Sequence, residues 1–99
     1  MTQAIQSPAG GDPVKNMTEL VTEIAQALVD DPGSVSVEAI ADGDSTVIRL
    51  RVAQSDVGKV IGKQGRTARS MRTILSAASM KFKHRFALDI VEQSEHPGS

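Results

Sequence analysis

Gly62 and Gly65 stand three residues apart inside a stretch, residues 55–80, whose apolar residues otherwise recur at helical spacing. No other feature limits the fold as much. Glycine enters left-handed backbone conformations at little cost and weakens a helix interior, so the stretch must divide into two helices joined by a sharp turn. Val57, Val60 and Ile61 share one face of a short first helix, with Ser55 at its N-cap position and Asp56 in its first turn. The second helix is expected from about Arg66 to Met80, with Ala68, Met71, Leu75 and Ala78 on the buried side and both Met71 and Met80 filling the core.

The flanking sequence supplies the rest of a small domain. Residues 1–14 are rich in Gly, Pro and small polar residues without an apolar period, and are expected to form a disordered leader. Residues 93–99 are expected to form a flexible tail, which leaves 15–92 as the domain. Asn16 followed by Glu19 resembles a capping box, and Met17, Leu20, Val21, Ile24 and Leu28 predict a helix from about Met17 to Val29. Asp30-Asp31-Pro32-Gly33 stops it. Val35, Val37 and Ala39 then alternate with polar residues, and after the turn Asp42-Gly43-Asp44 the run Ile48 to Val52 alternates again. Ile48, Leu50 and Val52 should point inward, sending Arg49 and Arg51 to the opposite face of the sheet. A last strand over Phe86–Val91 places Phe86, Leu88 and Ile90 together. The order α-β-β-α-α-β predicts an α+β fold: a three-stranded sheet with three helices on one face.

Several function classes are disfavoured at once. The 99 residues leave room for one core, and the absence of cysteine excludes a disulfide framework, a thiolate metal site and a cysteine nucleophile. Apolar runs fall far short of a membrane span and the N-terminus lacks a secretory pattern, so a cytoplasmic protein is expected. The serines have no base at hand and His84 and His96 no metal-ligand companions, so neither an enzyme nor a cofactor or metal site is expected. Charge is more informative. Residues 1–44 carry one base and eight acids (−7), whereas residues 45–92 carry ten bases and three acids (+7). Such a chain can present a cationic face to a polyanion while its near-neutral total limits indiscriminate attraction.

The turn itself carries the chemistry. Gly62-Lys63-Gln64-Gly65 permits close approach of a phosphate to the main chain, and the helix starting near Arg66 aims its free amides and positive dipole end at the same place. The glycines at 58, 62 and 65 fit neither G-x-G-x-x-G nor G-x-x-x-x-G-K-[ST], and no strand leads directly into them. A loop between two helices is instead the arrangement by which K homology (KH) domains hold single-stranded nucleic acid.

Val60-Ile61-Gly62-Lys63-Gln64-Gly65-Arg66 resembles the KH signature, and the element order is that of a type II KH domain. The stretch from Gly58-Lys59 to Ala68 and the closing Leu88-Asp89-Ile90-Val91-Glu92 resemble the small bacterial single-KH proteins of the KhpA (YlqC) family, over about Met17 to Glu92. Ala68 departs from the large aliphatic residue that many KH domains carry three positions after the second glycine.

The resemblance implies a groove for about four nucleotides of single-stranded RNA. Gly62, Lys63, Gln64 and Gly65 would grip phosphates and sugars, Val60 and Ile61 would form part of the apolar floor, and Lys59, Arg66 and Arg69 would add charge. It also implies a homodimer or a heterodimer with a KhpB (Jag-type) partner, and RNA-level control linked to growth and cell shape. The alternative is a module that docks another KH domain, with RNA contact incidental. Arg72 is expected on a solvated face, Arg49 and Arg51 fit contact with RNA or a partner as well as they fit plain solvation, and the helix dipole accounts for some of Lys81, Lys83 and Arg85. With Phe82 and Phe86 as the only aromatic residues apart from histidine, base stacking contributes little and binding should rest on backbone contacts and counterion release.

Overall fold

In the computed structural model, which describes residues 12–93, three helices lie on one face of a three-stranded sheet. Helix α1 spans Pro13–Leu28, strands β1 and β2 span Ser36–Asp42 and Ser45–Val52, helices α2 and α3 span Val57–Ile61 and Arg66–Phe82, and strand β3 spans Arg85–Glu92. Short 3₁₀ turns sit at Pro32–Ser34, Gln54–Asp56 and Lys63–Gly65. The α+β fold and its element order are those predicted.

The sheet runs β1-β2-β3, with β1 antiparallel and β3 parallel to β2. Parallel pairing requires a crossover, and α2 and α3 provide it. β2 is therefore the central strand: Ile48, Leu50 and Val52 are fully buried beneath the helices. Val21 and Ala25 of α1, Met71, Leu75 and Ala78 of α3, and Phe86 and Leu88 of β3 complete the core. Arg49 and Arg51 emerge on the face without helices, as the alternation predicted.

Three local expectations are corrected. α1 begins at Pro13 rather than Met17: Asp12 is its N-cap and accepts a hydrogen bond from the Val14 amide at 3.0 Å, so Asn16 lies within the helix and forms no capping box. Proline suits that first position, where its missing N–H has no intrahelical acceptor. Residues 12–14 thus open the helix, while the rest of the expected leader, 1–11, and residues 94–99 of the expected tail lie outside the described residues. Met80 is 81% exposed, not core, because it stands about 200° around α3 from buried Ala78, on the outer side of the helix. Ser55 caps nothing, since the residue entering α2 is Asp56.

Candidate nucleic-acid interface

The turn between α2 and α3 is built from one backbone requirement at each glycine. Gly62 ends α2 with φ 80° and ψ 172°, its amide donating to the Gly58 carbonyl at 2.9 Å. That combination is nearly closed to residues with a Cβ. A Cβ there would also meet the Thr67 hydroxyl and lie 2.8 Å from Thr67 Cβ and 2.9 Å from its amide nitrogen. The first turn of α3 thus packs directly on bare glycine backbone. Gly65 is left-handed (φ 74°, ψ 14°) and faces open space, and Gln64 before it is also left-handed at φ 56°. Two successive left-handed residues followed by helical Arg66 curl the chain into an exposed tip whose following helix has no side-chain cap. Within the tip the Gly65 amide donates to the Gly62 carbonyl at 3.1 Å and the Arg66 amide to the Lys63 carbonyl, so among the described residues the main-chain hydrogens left for an anion are those of Lys63 and Gln64.

The predicted site residues are brought together here, with two differences. Lys63, Gln64, Arg66 and Arg69 are all exposed on the loop and the start of α3. Arg66 Nη2 is 3.4 Å from Gln64 Oε1. Val60 is fully buried in the core, so of the two expected floor residues only Ile61, at 36% exposed, presents surface. Lys59 is half-occupied by acids: its Nζ lies 3.4 Å from Asp30 Oδ2 and 3.8 Å from Asp56 Oδ1.

Asp56 is the residue that sequence reasoning passed over. It is 1% exposed, and its two carboxylate oxygens accept the Asp30 and Asp31 amides at 3.2 and 3.1 Å. A buried carboxylate needs such donors. The contacts tie the end of α1 to the start of α2 and so set the position from which the loop departs. An acid before a short helix reads as a dipole partner, and nothing in the local sequence signals acceptors for amides 25 positions away.

Ion pairing sorts the basic residues. Arg49 Nε meets Asp89 Oδ2 at 3.1 Å and Arg51 Nη2 meets Glu38 Oε1 at 3.2 Å, so the sheet face satisfies its own cations. Lys63, Arg66, Arg69, Arg72, Lys81, Lys83 and Arg85 form no ion pair among the described residues. All of these lie on α3 or at its two ends. Arg72, expected as a merely solvated residue, lines a cleft of about 210 Å³ between α3 and β3, together with Leu75, Ser76, Phe86, Ala87 and Leu88. The spacing 66, 69, 72 shows the drift around α3, but not that β3 returns beside it.

Against known families, residues 18–90 match the family model described as KhpA/KhpB, KH domain. The chain belongs to the KhpA/KhpB KH-domain family. Among its relatives is the RNA-binding protein KhpA of Caldanaerobacter subterraneus subsp. tengcongensis, 51% identical over 75 residues, which are 76% of this chain and 100% of that one. The RNA-binding protein KhpA of Treponema pallidum is 50% identical over 74 residues, 75% of this chain and 92% of that one. Among solved structures, Era in complex with MgGDPNP and nucleotides 1506–1542 of 16S ribosomal RNA aligns with a TM-score of 0.52 at 16% identity, over 84% of this chain and 32% of that chain. At that identity the likeness speaks for the fold. The KhpA/KhpB match and the α-β-β-α-α-β order with its mixed sheet agree on a KH domain.

Proposed function

We propose that this protein holds short single-stranded RNA segments, with the Gly62–Gly65 loop clamping the sugar-phosphate backbone and the α3–β3 cleft receiving bases. One observation carries the reading: among the described residues Lys63, Arg66, Arg69 and Arg72 are exposed and form no ion pair, around a turn whose second glycine, Gly65, faces open space. Arg49 and Arg51 on the sheet face are neutralised in place, so the uncompensated charge is concentrated along α3 and at its two ends, the loop among them. The relatives' name, RNA-binding protein, supports the same partner.

Gly62 and Gly65 act through backbone geometry, Lys63 and Gln64 contact phosphate and ribose, Arg66 and Arg69 add phosphate contacts, and Ile61 borders the base side. Lys59 and Val60 serve by position: Lys59 through its acidic partners and Val60 by packing α2. Nothing in this chemistry calls for a bond to be made or broken, and the function is binding rather than catalysis.

A four-nucleotide grip without stacking is weak, and a second KH domain raises apparent affinity through effective concentration. On that ground the protein works as a homodimer or beside a KhpB-type partner, as a cytoplasmic RNA chaperone or post-transcriptional regulator with effects on growth and cell shape.

The test is Lys63→Asp combined with Gln64→Asp. Both glycines remain, and aspartate tolerates the left-handed backbone at 64. Fluorescence anisotropy with short mixed oligoribonucleotides should show affinity falling at least about five-fold in 0.1 M salt, the electrostatic share of one lost phosphate contact. Unchanged affinity in a folded double variant would overturn the reading and favour docking of another KH domain.

A further inference from the structure

The far end of α3 holds a second concavity that the loop does not use. It encloses about 530 Å³ and is lined by Ser79, Met80, Lys83 and His84 from the end of α3 and the following turn, and by Asp44, Ser45 and Arg85 from the adjoining strand ends. Its walls are fixed. The buried Thr46 hydroxyl is 2.7 Å from His84 Nε2, the Arg85 amide donates to the Asp44 carbonyl at 2.9 Å, and Ser79 Oγ accepts the Phe86 amide at 2.9 Å. Those contacts hold the frame together and leave Lys83 and Arg85 exposed, with no ion pair among the described residues. Lys83 is held out from the helix by a left-handed backbone, φ 54°. Asp44 is the single acid in the lining, so the concavity is net cationic.

The dipole of α3 accounts for a cation near its last carbonyls. It does not account for Arg85, which stands on β3, or for an 81% exposed Met80 at the rim. Arg69, Arg72, Ser76 and Met80 follow one another at spacings of three or four, so they form one stripe along α3, and Lys83 stands just past its end. That stripe leads from the Gly62–Gly65 loop past the α3–β3 cleft to the second concavity, a path of roughly 25 Å at 1.5 Å per residue. A chain of four nucleotides held at the loop leaves this end unoccupied; a longer strand laid along the stripe would reach it.

Resting on the RNA-binding reading above, we propose that this concavity is a second phosphate-binding site for the same RNA strand. Lys83 and Arg85 contact backbone phosphates and Met80 offers an apolar, adaptable surface to a ribose or base. The protein's footprint on RNA is therefore longer than the four nucleotides of the loop groove.

The experiment compares the wild-type chain with the double variant Lys83→Asn, Arg85→Gln, which removes both charges and keeps a residue tolerant of the left-handed position. Affinity for a four-nucleotide and a twelve-nucleotide mixed oligoribonucleotide is measured by anisotropy across a sodium chloride series. Loss of two phosphate contacts lowers the salt slope on the twelve-mer by about 1.4, equivalent to roughly a 25-fold loss at 0.1 M salt, and leaves four-mer binding unchanged. An unchanged twelve-mer slope overturns the proposal, and so does an equal loss on both lengths, which would place the effect in the fold or the loop. The Lys63→Asp, Gln64→Asp variant run alongside judges the loop separately: if it keeps four-mer binding, the loop reading fails whatever the far-end variant does.

Discussion

Alanine at the two loop glycines should have sharply different consequences, although sequence spacing treats them alike. At Gly65 the added methyl meets open space, so the cost is that of a left-handed alanine, about 1 kcal/mol. At Gly62 the φ 80°, ψ 172° conformation is itself worth about 1–3 kcal/mol of strain for a residue with a Cβ. The methyl would in addition sit 2.8 Å from Thr67 Cβ and 2.9 Å from Thr67 N. The nitrogen belongs to the first turn of α3 and cannot withdraw without unwinding it, which brings the total to about 3 kcal/mol. For a domain of this size each kcal/mol moves Tm by about 4–8 °C, so Gly65→Ala should melt about 4–8 °C below wild type and Gly62→Ala about 12–24 °C below. Circular dichroism melts of both variants measure this, and Gly65→Asn, which tolerates the left-handed region, should stay within about 4 °C of wild type. Alanine variants melting within about 4 °C of each other would refute the argument that Gly62, and not Gly65, is where the backbone is packed.

Other outcomes follow from the same contacts. Asp56→Ala leaves two amides without their acceptor and removes a partner of Lys59; urea unfolding should show a loss of about 3 kcal/mol, and Asp56→Asn, which keeps one acceptor oxygen, should lose less. Arg49 and Asp89 are partly exposed, so a double-mutant cycle on that pair should give a coupling below about 1 kcal/mol. Arg49→Ala should also leave RNA affinity within about two-fold, because its charge is neutralised in place and lies on the face opposite the helices. Arg72→Ala should weaken RNA binding by about five-fold at 0.1 M salt while leaving the melting temperature near that of wild type, which anisotropy and a melt together check.

Periodicity makes most of the fold readable from the residues alone. Ile48, Leu50 and Val52 alternate because β2 is central and packed on one side only, and Met71, Leu75 and Ala78 keep helical spacing because α3 presents one stripe to that strand. The failures share a cause: each depended on a partner distant in sequence or on a local rival of equal appearance. Asp12 and Asn16 are both good caps, and the choice fell to the one followed by proline. Met80 looks like Met71 in composition, and only its angular place on α3 puts it outside. Val60 and Ile61 are adjacent apolar residues on a five-residue helix, and tertiary packing decides that the first is enclosed and the second borders the loop. The candidate site was legible as a loop because glycine spacing is local. Its extension was not, because Arg72 acquires its cleft from β3, and Lys59 its acidic neighbours from the end of α1 and the turn before α2.

The most direct check is an NMR titration of the isotopically labelled chain with mixed single-stranded oligoribonucleotides at low ionic strength. The amide signals of residues 61 to 69 should shift progressively and saturably, led by Lys63, Gln64 and Gly65, while those of Glu38, Arg49 and Arg51 on the opposite sheet face stay in place. Movement confined to the sheet face, or no movement in the loop at saturating RNA, would contradict the assignment of this turn as the RNA clamp.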